Sequence, residues 1–250
     1  MQKLYVGDKG KGFPLVLIHG FLGSSTLWKL QIGFFKKSFR VITPDLPGFG
    51  KSFKAQPHRS IKKTAKIILE VLKKKKIDKF HLLGHSMGGM IAQEMTKISS
   101  DKISKVIFYS TGAIGEMPGR FESVDQSRKN LKVNGLKSMI KQIVKTWFIR
   151  KEKSRYYNTC IHASTKASVK TVDNYLKTLK KWNGVSTLKK IKNETLIVWG
   201  NKDKSYNLNQ IKTLKKNIKN SKLVIFKGCA HNVHLEKSKK FNSVIKSFLI

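Results

Sequence analysis

Short, continuous apolar runs recur along the chain, separated by segments with an apolar residue at every third or fourth position. The runs fall near 14–18 (PLVLI), 39–43 (FRVIT), 79–83 (KFHLL), 105–109 (KVIFY), 195–199 (TLIVW) and 222–226 (KLVIF). Consecutive rather than alternating apolar positions, with many β-branched residues, predict strands covered on both faces, as in a parallel sheet. Between them, Ile61, Ala65, Ile68 and Leu72 form one apolar stripe at helical spacing, with lysines opposite. Residues 207–219 and 235–249 repeat that pattern. Alternation of this kind predicts an α/β fold with right-handed crossovers and helices on both faces of the sheet.

The alternation stops between about 112 and 190. Helical patterns appear there at roughly 123–132, 136–149, 152–160 and 168–182, with no convincing strand. The expected organisation is a core of residues 1–111 and 191–250, with 112–190 inserted as a helical lid over the C-terminal edge of the sheet. Trp147 and Trp182 are candidates to line a substrate pocket beneath it, as are Met139, Phe148 and Tyr157.

One turn carries the most chemistry. The run FHLL leads into Gly84-His85-Ser86-Met87-Gly88, after which the pattern becomes helical. A serine on a sharp strand-to-helix turn needs neighbours without side chains, and glycine stands two positions before it and two after. The turn exposes the hydroxyl and places the Met87 amide at the first turn of a helix, where an oxyanion would form. A serine hydroxyl is a weak nucleophile without a base, and the base needs a third group to fix its tautomer. His231 lies on the loop between the last strand and the last helix, at the same sheet edge. His234 runs directly into that helix and is read as starting or capping it. Asp203 follows the strand TLIVWG and completes a Ser86, Asp203, His231 order. Asp45, on the Gly-rich loop DLPGFGKS, is read as organising that loop. A second oxyanion donor is expected from the Phe21 amide, after the strand ending in His19-Gly20. His19 itself is read as holding the loop.

HGFLGSSTLW (19–28), DLPGFGKS (45–52), GHSMGG (84–89), WGNKD (199–203) and GCAHNVHLEKS (228–238) together resemble the α/β-hydrolase superfamily over nearly the whole chain. The resemblance implies a mostly parallel sheet of about eight strands, with a helical cap inserted after the sixth. Trp28 and the DLPGFGKS loop would be structural. It also implies a serine hydrolase acting on a carboxylic ester or lactone, with C–C bond hydrolysis of a vinylogous diketone as the alternative. Ala230 replaces a frequent glycine before the histidine, and Lys237-Ser238 replace a frequent proline after HLE. Both departures concern loop shape rather than a catalytic atom.

Composition changes this picture little. Lysine and arginine number 52 against 14 acidic residues, a net charge of +38. Only six of the 52 are arginine, the side chain suited to bidentate phosphate and base recognition, and the lysines are spread over the whole chain. The expectation is a small-molecule substrate, with acidic esters among the candidates, rather than a specific nucleic acid. A non-catalytic basic binding protein on the same fold is the reading from another class, but it leaves the serine, histidine and acid without a purpose. No run approaches 18 apolar residues, the start of the chain lacks a signal-peptide pattern, and Cys160 and Cys229 do not make a disulfide framework. A cytoplasmic location follows as the expectation. No histidines stand four apart on a helical pattern, so neither a metal nor another cofactor is expected.

Overall fold

A computed structural model describes residues 3–116 and 118–250. Seven strands form one sheet: β1 (Val6–Lys9), β2 (Pro14–Ile18), β3 (Arg40–Pro44), β4 (Phe80–His85), β5 (Ile103–Tyr109), β6 (Glu194–Gly200) and β7 (Ser221–Phe226). Their spatial order is β1-β3-β2-β4-β5-β6-β7. Every pairing is parallel except β1 with β3, which is antiparallel. The count among the described residues is therefore seven rather than eight, and the helical insertion follows the fifth strand rather than the sixth. β1 has no apolar run: VGDK is half-buried and polar at its end, as befits an edge strand that needs only one covered side.

The helices are α1 (Lys29–Phe35), α2 (Ile61–Lys74), α3 (Met87–Ile98), α4 (Val124–Val133), α5 (Gly135–Lys145), α6 (Tyr157–Ser164), α7 (Val169–Lys181), α8 (Val185–Leu188), α9 (Leu208–Asn217), α10 (Val233–Glu236) and α11 (Ser238–Leu249). α2 shows how locally the sequence sets them. Ser60 caps it by accepting from the Lys63 amide at 3.2 Å. Ile61, Thr64, Ala65, Ile68 and Leu72 are its buried face. Lys73 and Lys74 close it where cations suit the helix dipole, and Lys76 just beyond takes a left-handed φ of 56°.

Two apolar cores sandwich the sheet. Trp28, Phe35, Phe39, Phe241 and Ile245 pack α1 and α11 on one face. The other core joins α2, α3 and α9 to the helices of the insertion, through residues such as Ile68, Met90, Ile140 and Leu176. The two ends of the insertion are tied together. Ile114 and Asn183 form an antiparallel bridge, with Gly115 N donating to Trp182 O at 3.0 Å and Gly184 N to Ala113 O at 2.8 Å. No helix among the described residues is long and apolar enough to cross a membrane.

Candidate active site

Ser86 sits between β4 and α3 at φ 57°, ψ −123°, a backbone conformation that costs a non-glycine residue energy and persists only where surrounding bonds impose it. Here Ser86 N donates to Tyr109 O at 2.9 Å, and Ser86 O accepts from Gly89 N at 2.8 Å and Thr111 Oγ1 at 2.7 Å. The flanking glycines serve close packing. A Cβ on Gly84 would lie 2.3 Å from Gly88 O, and one on Gly88 would lie 2.4 Å from Ile18 O. Gly20 works in the same way: its Cβ would come within 2.8 Å of Ser86 Cβ, so the loop after β2 lies directly against the serine. The residue of that loop with a left-handed backbone is Leu22, at φ 58°.

His231 follows β7 and Asp203 follows β6, so both arise at the carboxyl ends of strands, as Ser86 does. The His231 Nδ1–H donates to Asp203 Oδ2 at 2.9 Å, with both side chains almost sealed from solvent. The other carboxylate oxygen accepts from Ser205 N at 2.7 Å and Tyr206 N at 3.3 Å. That pairing puts the proton on Nδ1 and leaves Nε2 as an acceptor. The His231 carbonyl is held from behind by the Tyr109 hydroxyl at 2.9 Å. Glu236 ties this loop to the insertion: its carboxylate accepts from Ala230 N and from Ile149 N, both at 2.7 Å. Asn232 N also donates to Trp147 O at 3.1 Å.

Ser86 and His231 line one cavity of about 40 Å³, together with Phe21, Met87 and Trp147. Met87 is the first residue of α3, so its N–H has no partner within the helix. Among the described residues, the Ser86 hydroxyl has one hydrogen-bond partner, the Tyr206 hydroxyl at 3.4 Å.

A family model for the alpha/beta hydrolase fold matches residues 14–238. The chain belongs to the α/β-hydrolase fold family. The pimeloyl-[acyl-carrier protein] methyl ester esterase of Legionella pneumophila (strain Corby) is 27% identical, over 99% of this chain and 100% of that protein. The 2-hydroxy-6-oxo-6-phenylhexa-2,4-dienoate hydrolase of Burkholderia cepacia is 26% identical, over 99% and 91% respectively. The structure of an esterase from Exiguobacterium antarcticum superposes with a TM-score of 0.89 at 24% identity, covering 98% of this chain and 94% of that one. At that identity the superposition speaks for the fold.

In this α/β hydrolase the other candidate residues have structural partners. His19 Nε2 accepts from Leu46 N at 2.9 Å, and its Nδ1 donates to Gly20 O at 2.8 Å. Asp45 accepts from Ser25 N at 2.6 Å and Lys51 N at 2.7 Å, organising its loop. His234 lies in α10 with its Nδ1 on the Tyr109 hydroxyl at 2.9 Å, and burial lowers its pKa to about 3. Trp182 lies outside the group lining the Ser86 cavity; its indole N–H donates to Glu94 at 3.0 Å. Met139 is fully buried in the core, and Tyr157 is packed half-buried against it. Phe148 lines a separate depression with Ala230 and Lys204.

Three polar residues of the cavity lie outside the sequence motifs: Arg120, Ser205 and Tyr206. Tyr206 stacks on His231 at 5.7 Å and 13° between ring planes, and burial, the largest cause, raises its pKa to about 12. It is a neutral hydroxyl throughout the working range. Its position three residues past the acid, on the same loop, was the one signal available in the sequence.

Proposed function

We propose that the chain is a serine hydrolase that cleaves a carboxylic ester or lactone by way of an acyl-enzyme. The observation that carries this reading is the His231–Asp203 pair at 2.9 Å, with His231 on the wall of the cavity that Ser86 also lines in its strained turn. In this mechanism the Ser86 hydroxyl turns from Tyr206 to His231 Nε2. Catalytic hydrogen bonds are often long in a free enzyme and tighten around substrate. His231 then takes the serine proton as Oγ attacks the carbonyl, and gives it to the leaving alcohol. Asp203 holds the imidazole and stabilises its charged form. The Phe21 and Met87 amides receive the oxyanion. Water, activated by His231, releases the acid and restores Ser86. No cofactor enters this cycle.

Residues 112–190 act as the lid of this site, over a core of 1–111 and 191–250, with Trp147 on its inner wall. The hydrogen bonds that Glu236 accepts from Ile149 N and that Asn232 N donates to Trp147 O support that role by fixing the insertion to the His231 loop. A small-molecule substrate met in the cytoplasm fits the buried cavity and the two free cysteines. The name of the Burkholderia cepacia relative favours a second reading, C–C bond hydrolysis of a vinylogous diketone by the same three residues.

Turnover of a panel of alkyl esters, lactones and one vinylogous diketone by the native enzyme and by Ser86→Ala tests the proposal. The native enzyme hydrolyses esters or lactones best, and Ser86→Ala loses at least about 10⁴-fold in kcat. Preference for the diketone would transfer the assignment to the second reading; full ester turnover by Ser86→Ala would remove Ser86 as the nucleophile.

A further inference from the structure

The catalytic cavity holds one formal charge that the proposed cycle does not use. Arg120 lines it beside Tyr206 and Ser205, opposite Phe21 and Met87. The loop that carries Arg120 is fixed to the loop of the catalytic acid, since Phe121 N donates to Lys204 O at 3.0 Å and Asn207 Nδ2 to Pro118 O at 2.9 Å. The guanidinium is therefore delivered to the cavity wall by a braced segment. It also stacks 4.7 Å from the Phe121 ring, which fixes its plane.

Among the described residues its donors are nearly idle: of five N–H groups, one has a partner there, the Glu122 carbonyl at a long 3.4 Å. No carboxylate of the described residues lies within ion-pair distance of it. The two acids nearest in sequence are engaged with α4 instead. Glu122 accepts from Ser127 Oγ at 2.6 Å and Asn130 Nδ2 at 2.9 Å, and Glu116 accepts from Val124 N at 3.1 Å. A half-buried guanidinium without a counter-ion bears a desolvation cost that an anionic ligand would offset. Its planar fork matches a carboxylate in particular.

We propose that Arg120 is the anion subsite of this hydrolase, binding a carboxylate carried on the acyl side of the substrate. The inference rests on the hydrolase reading above and adds the substrate class. Because Arg120 and Ser86 line one cavity of only about 40 Å³, a carboxylate held by the one and a carbonyl held by the other belong to a substrate with a few carbon atoms between them. Half-esters of short dicarboxylic acids have that form. The apolar walls, Met90, Ile143 and Leu179, cover the methylenes between.

The test compares monomethyl glutarate with its neutral isostere, the methyl ester of glutaric acid monoamide, by kcat/KM. The native enzyme favours the carboxylate about 10- to 100-fold, the factor that a charge-assisted hydrogen bond supplies. Arg120→Met brings that ratio close to one, while Arg120→Lys retains part of it. The general attraction of a +38 protein for anions does not account for such a change, because the substitution removes one charge of 38. Calorimetry of monomethyl glutarate binding to Ser86→Ala, with and without Arg120→Met, reads the subsite without chemistry. Binding that depends on Arg120, with no ester cleaved by the native enzyme, would support the subsite and overturn the hydrolase reading. Cleavage of both esters at equal rates, or a preference that survives in Arg120→Met, would overturn the subsite.

Discussion

Asp203→Asn lowers kcat by about 10⁴ while the protein stays folded. The surroundings of the carboxylate decide this outcome. Its Oδ1 accepts from the Ser205 and Tyr206 amides, and only an oxygen can take that place. The asparagine therefore keeps its carbonyl oxygen on the loop and turns its NH₂ toward His231. Two donors cannot face each other, so the imidazole moves its proton to Nε2 and presents a bare Nδ1 to the amide. In that tautomer it has no lone pair for the serine proton. Steady-state kinetics on the best ester, with thermal unfolding of the same preparations, check the claim. A fall of less than tenfold would mean that the acid does not set the tautomer. Asp203→Ala serves as the contrast: it also strips the loop of two hydrogen bonds, and its melting temperature falls further than that of Asp203→Asn.

The protein loses stability steeply between pH 6.5 and about 4.5. Four histidines, His19, His81, His85 and His234, are buried with their pKa values lowered, burial being the largest cause for each. For His81 the value falls to about 4 and for His234 to about 3. The sign follows from the unfolded chain, where each titrates near 6.5. Below that pH the unfolded state binds protons that the folded state refuses, so folding stability is intact above 6.5 and declines as pH falls toward the folded values. His81 and His234 alone contribute roughly 3 kcal/mol per pH unit in this window. In a chain of this size that corresponds to roughly 6–12 °C in Tm per pH unit. Asp8, lowered chiefly by its bond to Arg40, and Asp173, where burial is outweighed by Lys177 and Arg128 together, lose their stabilising effect only at lower pH. Repulsion among the many lysines is screened by salt, whereas the burial penalty is not. Thermal scans in 0.5 M salt at pH 7.5, 6.0 and 5.0 therefore isolate the histidines, and a Tm that is flat across those three would refute this account.

The sequence and the structure agree where one local rule governs. Six strands came from continuous apolar runs, because strands covered on both faces must be apolar throughout. β1 escaped that rule: at a sheet edge, VGDK is defined by its partner β3 rather than by its own pattern. The last helical region, legible as one segment, is two helices, because Lys237 leaves helical geometry at φ −132°. The placement of Ser86, Asp203 and His231 beyond the carboxyl ends of β4, β6 and β7 was legible because each follows an apolar run within a few residues. Trp182 and Trp147 looked alike in sequence. Only docking of the insertion separates them, one bonded to Glu94 and the other facing His231. Arg120 and Tyr206 lay beyond sequence reading for the same reason: what distinguishes them is the emptiness around a guanidinium and the nearness of a phenol to Ser86.

In the proposed cycle His231 makes Ser86 nucleophilic. The most direct measurement is the rate and site of covalent labelling by a fluorophosphonate, with the native protein and His231→Ala compared side by side. One equivalent bound at Ser86, with labelling slowed by at least about 10³-fold in His231→Ala, is the predicted result. Labelling at another residue, or at the same rate without the imidazole, would contradict it.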